Sequence, residues 1–204
     1  MNINPERQSL ADASPRSPYF SAEHEMLRMQ VRRFVETEIK PKAQAWEQQG
    51  CVPREVLRHM GSLGFFGIRY PARYGGSEMD TLASALFGEE LGRSTFGGVA
   101  ITALVHTDMA SVHVFNAGSE AQKDKWMPQI ISGEAITAVA VTEPDAGSDV
   151  KGIRTVARWE GDSYVLDGAK MFITNGVYAD LYCVAAKTGR DGQPSRSITM
   201  FLVE

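Results

Sequence analysis

Cysteine is scarce in this sequence, and no charge of one sign dominates it. The 204 residues include two cysteines, Cys51 and Cys183, which are too few for a disulfide framework or a cysteine-based metal cluster. We therefore expect a reducing compartment, the cytoplasm. The formal net charge is −4, so bulk electrostatic attraction favours neither nucleic acid nor an anionic membrane as a partner.

Long apolar runs are also missing. No run of about 18 apolar residues occurs, and we therefore expect no membrane span. The N-terminus lacks the apolar segment of a signal peptide, and Glu6 and Asp12 argue against a transit peptide. The dinucleotide-binding pattern Gly-x-Gly-x-x-Gly is absent from the sequence. What remains is an ordinary globular composition, 43% hydrophobic and 23% charged.

Helical periodicity dominates the sequence from Ser21 to about residue 134. Ser21 is a candidate N-cap, and apolar residues follow it at helical spacing as far as Ile39. Further helices are predicted over residues 54–63, 81–91, 96–115 and 120–131. His106 and His113 lie in the long apolar segment. They lack a third ligand at the spacing of a metal site, so we interpret both as packed or hydrogen-bonded side chains.

The period changes from residue 135 onward to short runs rich in Val, Ile, Thr and Tyr between Gly/Asp turns. Strands are predicted over residues 136–141, 153–159, 163–167, 171–173, 181–187 and 197–203. Because the helices come first and the strands follow, we predict an α+β fold rather than alternating β-α-β units. The predicted parts are a loose arm (1–20), an all-helical domain (21–134) and an antiparallel, β-barrel-like domain (135–204).

The most informative stretch runs from residue 138 to residue 176. A short apolar strand leads into the loop of residues 142–149, which has the sequence T-E-P-D-A-G-S-D. Gly147 permits either a positive φ or the close approach of a ligand, and such loops can present backbone N–H groups to an anion. Asp149, however, would repel a phosphate beside it. Most turns of this kind bind nothing, so the loop alone does not identify a site.

A second segment changes that interpretation. Residues 170–176 have the sequence K-M-F-I-T-N-G, and together with the loop they resemble the acyl-CoA dehydrogenase family. In that family T-E-P-x-A-G-S-D and K-x-[WF]-I-[TS]-N-G form one flavin pocket. Residues 64–76, G-F-F-G-I-R-Y-P-A-R-Y-G-G, resemble a further family segment with a structural role. The resemblance extends from about Ser21 to Glu204.

The resemblance implies an FAD enzyme that oxidises acyl-CoA thioesters to trans-2-enoyl-CoA. In the family a glutamate removes the α proton and FAD accepts a hydride from the β carbon. Electron-transfer flavoprotein is the implied electron acceptor, and a homo-oligomer, a tetramer in the family, is the implied assembly. The implied FAD-binding residues are Val139, Val141, Thr142, Gly147, Ser148, Phe172, Ile173 and Thr174.

The family assigns these residues different parts of the cofactor. Val139, Val141 and Thr142 lie along the pyrimidine side of the flavin, and Thr174 bonds its reactive ring nitrogen. Phe172, where many members have Trp, covers one flavin face. Gly147 and Ser148 lie near the pyrophosphate and the substrate entrance, so Ser148 is also a predicted substrate-binding residue. Taken singly, the threonines also suit a β-strand, and Phe172 also suits an apolar core.

The resemblance further implies that this chain corresponds to the first half of a family member. In the family the β domain continues past the strand at residues 197–203, and a C-terminal four-helix bundle follows it. We expect a fragment, a truncated form or a split-gene subunit that needs a complementing C-terminal half. The catalytic base is expected in that half. Glu143 is the alternative base, which we reject because the family uses this glutamate as loop scaffold, and the isolated chain is predicted to be inactive.

Other interpretations remain open from the sequence. An acyl-CoA oxidase, a nitroalkane oxidase or a flavin-dependent hydroxylase would share the same two segments. A non-catalytic partner subunit would contribute half a pocket to a longer chain. A helical-plus-β interaction module would have no cofactor at all. The colour of the pure protein discriminates the last of these from the others.

Overall fold

The computed structural model describes residues 18–188 and 197–204. Within these ranges the chain is helical first and stranded afterwards, which confirms the predicted α+β class. Residues 1–17 of the predicted N-terminal arm lie outside the described residues, as do residues 189–196 between the last two strands.

The helical part begins at the predicted N-cap. The Ser21 side chain accepts a hydrogen bond from the His24 N–H, which satisfies one of the free amides at the helix start. The described residues include two π-helical segments, Val35–Ile39 and Val105–Ala110. The helices are α1 (Ala22–Phe34), α2 (Ala43–Gln49), α3 (Arg54–Ser62), α4 (Thr81–Gly92), α5 (Gly97–Leu104), α6 (Ser111–Ala117) and α7 (Glu120–Ser132).

The segment Gly97–Ala117, which runs from α5 through α6, is continuous over 21 residues. By length and composition it is apolar enough to cross a membrane. Half of the most apolar stretch of this segment is buried inside the protein. Val99, Ala103 and Val114 of the segment belong to the core. Core packing therefore accounts for its composition, and the predicted lack of a membrane span stays a prediction.

Among the described residues, one mixed sheet contains five strands: β1 (Thr137–Ala140), β2 (Val156–Glu160), β3 (Ser163–Asp167), β4 (Leu181–Thr188) and β5 (Ile198–Val203). The order is β1-β4-β2-β3, and β5 pairs with β4. β2–β3 and β4–β5 are antiparallel, as predicted. The prediction of an antiparallel sheet is wrong for β1–β4 and β2–β4, which pair in parallel. A two-residue turn forces β2 and β3 to reverse, whereas the long connections of β1 and β2 to β4 impose no such constraint.

The parallel pairing of β1 and β4 has a visible anchor on the helical part. Arg54 in α3 donates to both carboxylate oxygens of Asp180, at 2.8 and 2.9 Å. The same carboxylate accepts the Ile136 N–H at 2.8 Å. Asp180 directly precedes β4 and Ile136 directly precedes β1, so both strands start from one ion pair and run away from it side by side.

The sheet curls rather than lying flat. Tyr164 of β3 and Phe201 of β5 make an edge contact with ring centroids 5.1 Å apart. These two strands are at opposite ends of the path β3-β2-β4-β5, so a flat sheet would keep them about three strand spacings, roughly 14 Å, apart. The curl agrees with the predicted barrel-like shape.

One predicted strand is absent. Residues 171–173 have no regular structure, because Phe172 has φ +56°, and they are followed by a turn over residues 174–178 in which Asn175 has φ +65°. Left-handed backbone at two non-glycine positions is incompatible with an extended strand. The apolar residues of this segment favoured a strand, but in the structure they belong to a loop.

Candidate functional site

The two motif segments meet in the structure. The Met171 N–H donates to the Thr142 carbonyl at 2.9 Å. The Lys170 ammonium donates to the Val141 carbonyl, also at 2.9 Å. The loop after β1 and the turn before β4 therefore form one continuous surface, although about thirty residues separate them in the sequence.

Glu143 is the buried carboxylate beneath this surface. One of its oxygens lies 2.8 Å from the Lys170 ammonium and accepts the Thr155 N–H at 3.0 Å; the other accepts the Arg154 N–H. Burial by itself raises the pKa of Glu143, but the hydrogen bonds from Lys170 and the two backbone amides outweigh it and lower the pKa to about 2. A general base needs a pKa nearer the working pH and a free path to the substrate. The geometry supports the scaffold role inferred for Glu143.

The Glu143 carboxylate also helps to hold the loop that connects β1 to β2 along the side of β4. β1 pairs with the first half of β4 and β2 pairs with its last residues, so the loop of residues 141–155 bridges a gap along one side of β4. Glu143 binds the amides just before β2, while the Thr155 carbonyl accepts the Lys187 N–H of β4 at 2.8 Å. The loop is thereby anchored at both of its ends.

The turn of residues 171–176 is anchored by Asn175, whose side chain is buried. Its amide NH2 donates to the Thr102 carbonyl of α5 and to the Thr137 carbonyl of β1, each at 3.1 Å. Its amide oxygen accepts the Tyr178 hydroxyl at 3.0 Å. The residue after it, Gly176, has no room for a side chain, because a Cβ there would lie 2.8 Å from the Ile173 carbonyl oxygen.

Several predicted cofactor residues present unused groups on this surface. The Phe172 side chain is 88% exposed. Thr142 and Thr174 are half-buried, and neither hydroxyl makes a hydrogen bond within residues 18–188 and 197–204. Val139, Val141 and Ile173 are half-buried beside them. Free hydroxyls next to an exposed aromatic ring serve no internal purpose, so these groups are available to a ligand.

Gly147 and Ser148 lie on the exposed part of the loop. Gly147 does not adopt a positive φ, and a Cβ at this position would meet nothing within 4 Å. Glycine at this position is therefore not required by a positive φ. The close approach of a ligand remains as the reason for it. In the described part of the chain no hydrogen bond joins Gly147 or Ser148 to residues 172–174.

His106 behaves as the structural histidine that was predicted. Its Nδ1 accepts the Thr137 N–H at 3.1 Å, and its Nε2 lies 3.0 Å from the Ile130 carbonyl, to which it donates. Burial lowers the pKa of His106 to about 4, which keeps the ring neutral. The described residues contain no cluster of three or more His, Cys, Asp or Glu side chains placed to hold a metal ion.

Sequence reasoning assigned no role to Lys170 or Asn175, although both lie inside the quoted segment. A signal was present for Lys170, because a lysine beside an apolar turn and a glutamate inside the partner loop form a complementary pair. The Asn175-Gly176 pair is a turn signal, but nothing local predicts the hydrogen bonds of the Asn175 side chain, since its three partners come from α5, β1 and the residues after the turn.

Comparison with known proteins gives matches along almost the whole chain. The family model "Acyl-CoA dehydrogenase, N-terminal domain" matches residues 21–134, and "Acyl-CoA dehydrogenase, middle domain" matches residues 138–204. The long-chain specific acyl-CoA dehydrogenase, mitochondrial, of Mus musculus is 39% identical over 201 residues, which are 98% of this chain and 46% of the relative. The isovaleryl-CoA dehydrogenase, mitochondrial, of Pongo abelii is 40% identical over 187 residues, 90% of this chain and 44% of the relative.

Solved structures agree with these relatives. The acyl-CoA dehydrogenase from Geobacillus kaustophilus superposes with a TM-score of 0.86 at 39% identity, over 92% of this chain and 49% of that one. The acyl-CoA dehydrogenase from Bacillus anthracis, complexed with FAD, superposes with a TM-score of 0.82 at 36% identity, over 91% of this chain and 32% of that one. The chain spans about half the length of the curated relatives it matches. With matches to both its N-terminal and its middle domain, the chain belongs to the acyl-CoA dehydrogenase family.

Proposed function

We propose that this chain supplies the FAD-binding part of an acyl-CoA dehydrogenase, which oxidises acyl-CoA thioesters to 2-enoyl-CoA. The observation that carries the proposal is the hydrogen bond from the Met171 N–H to the Thr142 carbonyl. It joins two separate family segments into one surface, on which the Thr142 and Thr174 hydroxyls and the Phe172 ring are unused by the chain itself.

The residues of this surface fit a flavin. Phe172 offers an exposed aromatic face for stacking on a flat ring system. The Thr142 and Thr174 hydroxyls are free to donate to ring oxygens and nitrogens, and Gly147 leaves its side of the loop open. Lys170 compensates the charge of Glu143, so the surface presents no unpaired carboxylate from that residue to a flavin ring that gains negative charge on reduction. FAD, when bound, supplies the acceptor for the hydride from the substrate β carbon.

In this proposal the residues of this chain bind and orient FAD, and they do not remove the α proton of the substrate. Glu143 is held by an ammonium and two backbone amides, with its pKa lowered to about 2. We place the base on a carboxylate outside residues 1–204, and we expect the chain alone to be inactive. A positioned general base contributes about 10²–10⁴-fold to such a reaction, so its absence is decisive.

Exposed apolar side chains support a covering polypeptide. Val177 is 96% exposed, Phe172 88% and Trp159 59%, which is unusual for large apolar residues on one molecule. The proposed cover is a complementing C-terminal half within a homo-oligomer, and electron-transfer flavoprotein is the proposed electron acceptor, as the family resemblance implies. The free thiols of Cys51 and Cys183 support a reducing compartment, and the cytoplasm stays our proposal.

The test is flavin retention followed by anaerobic mixing with acyl-CoA substrates. We expect FAD in the acid extract of the protein supplied with excess FAD, and bleaching of the flavin only after a separately made C-terminal half is added. Protein that holds no flavin under either condition would overturn the proposed function. Substrate-dependent bleaching by this chain alone would instead show that the base lies within it and would return Glu143 to consideration.

A further inference from the structure

The Asn175 side chain makes three hydrogen bonds beside the proposed site, and the residue exposes only 5% of its surface. Both hydrogens of its amide are used, on the Thr102 and Thr137 carbonyls, and its amide oxygen accepts the Tyr178 hydroxyl. A fully bonded, buried amide that contacts three separate segments specifies one arrangement of them.

The backbone of Asn175 matters as much as its amide. It is left-handed, with φ +65°, and Phe172 three positions earlier is also left-handed, with φ +56°. Two such residues in one short turn persist only where the surroundings hold them. Asn adopts this conformation more readily than most other residues, which explains its presence at this position.

The hydrogen bonds place Asn175 at one end of a closed ring. At the other end the Met171 N–H donates to the Thr142 carbonyl, and at this end the Asn175 amide donates to the Thr137 carbonyl. Residues 137–142 form one side of the ring and residues 171–175 form the other. All the predicted cofactor residues except Gly147 and Ser148 lie within these two sides.

We propose that Asn175 is a positioning residue that closes this ring and so holds Phe172 and Thr174 opposite Val139 and Val141 before FAD binds. Its bond to Thr102 also fixes the ring to α5, because the same amide nitrogen serves both carbonyls. The part of this proposal that concerns FAD rests on the proposed function, whereas the part that concerns the turn does not.

The first arm of the test needs no flavin. Asn175→Gly keeps the left-handed backbone accessible and removes the amide, and Asn175→Asp keeps the shape but replaces the donating NH2 by an acceptor. Amide hydrogen exchange of this chain should show Met171 and Gly176 exchanging about tenfold faster in both variants, while the amides of β4 change little. Tyr178→Phe is the matched control, since it leaves both carbonyl bonds in place. Unchanged exchange at Met171 and Gly176 in Asn175→Gly would overturn the proposal.

The second arm measures FAD affinity by quenching of flavin fluorescence. Both Asn175 variants should bind FAD about tenfold more weakly, as expected when an ordered site must first be formed. Val31→Ala, a truncation in the core of α1, controls for loss of global stability and should leave the affinity unchanged. Normal affinity in Asn175→Gly despite a loosened turn would overturn the positioning role toward FAD. If the wild-type chain binds no FAD even with a complementing half, the proposed function fails, and the exchange arm alone decides the role of Asn175 in the turn.

Discussion

The Lys170 ammonium lies 2.8 Å from the Glu143 carboxylate, and both side chains are nearly buried, with 12% and 4% of their surface exposed. The same ammonium donates to the Val141 carbonyl. One cation therefore neutralises the loop carboxylate and ties the two family segments together. The local geometry of the proposed flavin site depends on this pair, although neither residue faces the cofactor in our proposal.

Replacing Lys170 by Met should destabilise the protein strongly. The variant leaves the Glu143 carboxylate buried without its cation, and breaking a buried pair in this way typically costs about 3–5 kcal/mol. Urea unfolding followed by circular dichroism measures the change. Lys40→Met is the matched control, because it removes an exposed pair with Glu36, which is worth less than about 1 kcal/mol. Equal effects of the two substitutions would contradict the importance given to the buried pair.

Glu143 should make stability depend on acidity in a defined range. The pKa of Glu143 is about 2 in the folded protein, against an ordinary value of 4.5. Between these two pH values the carboxylate is protonated in the unfolded chain but stays ionised in the folded chain. The contribution is complete above about pH 4.5 and is lost as the pH falls towards 2. In Glu143→Gln the slope of unfolding free energy against pH should be shallower over this range. An identical acid slope in the wild type and the variant would rule out this linkage.

Two helical glycines should respond in opposite ways to alanine. A Cβ on Gly61 in α3 would lie 2.1 Å from the Ser132 carbonyl oxygen, whereas a Cβ on Gly92 in α4 would meet nothing within 4 Å. Gly61→Ala should therefore cost about 1–3 kcal/mol through forced displacement of α7. Gly92→Ala should be neutral or stabilising by up to about 1 kcal/mol, because alanine loses less backbone entropy. Calorimetric midpoints of the two variants decide this, and a stabilised Gly61→Ala would refute the close packing of α3 on α7.

Thr174→Val should alter the flavin more than the fold. The substitution keeps the shape and removes a hydroxyl that has no hydrogen-bond partner in the described residues, so the unfolding free energy should change by less than about 1 kcal/mol. The reduction potential and the visible spectrum of bound FAD should shift, since the hydroxyl is proposed to bond the ring. Thr199→Val, an exposed position on β5, serves as the control for the loss of a hydroxyl elsewhere. An unchanged flavin potential and spectrum in Thr174→Val would remove this residue from the proposed site.

Features that depend only on neighbouring residues could be predicted from the sequence. The N-cap at Ser21 follows from one side chain and the amides just after it, and the change from helices to strands near residue 135 follows from the change of period. The two family segments are likewise continuous runs of residues. The rejection of Glu143 as a base followed from the family resemblance, in which this glutamate is loop scaffold.

The contacts between segments that are distant in the chain became known only from the three-dimensional structure. β1 and β4 pair in parallel and start beside the Arg54–Asp180 ion pair, whose members are far apart in the chain. The apolar pattern of residues 171–173 predicted a strand, but the buried Asn175 amide and its partners on α5 and β1 hold a left-handed turn instead. A short stretch of sequence shows the secondary-structure propensity of its residues and the pattern of buried side chains. The direction of a strand and the bonding of a buried polar group depend on partners that no short window includes.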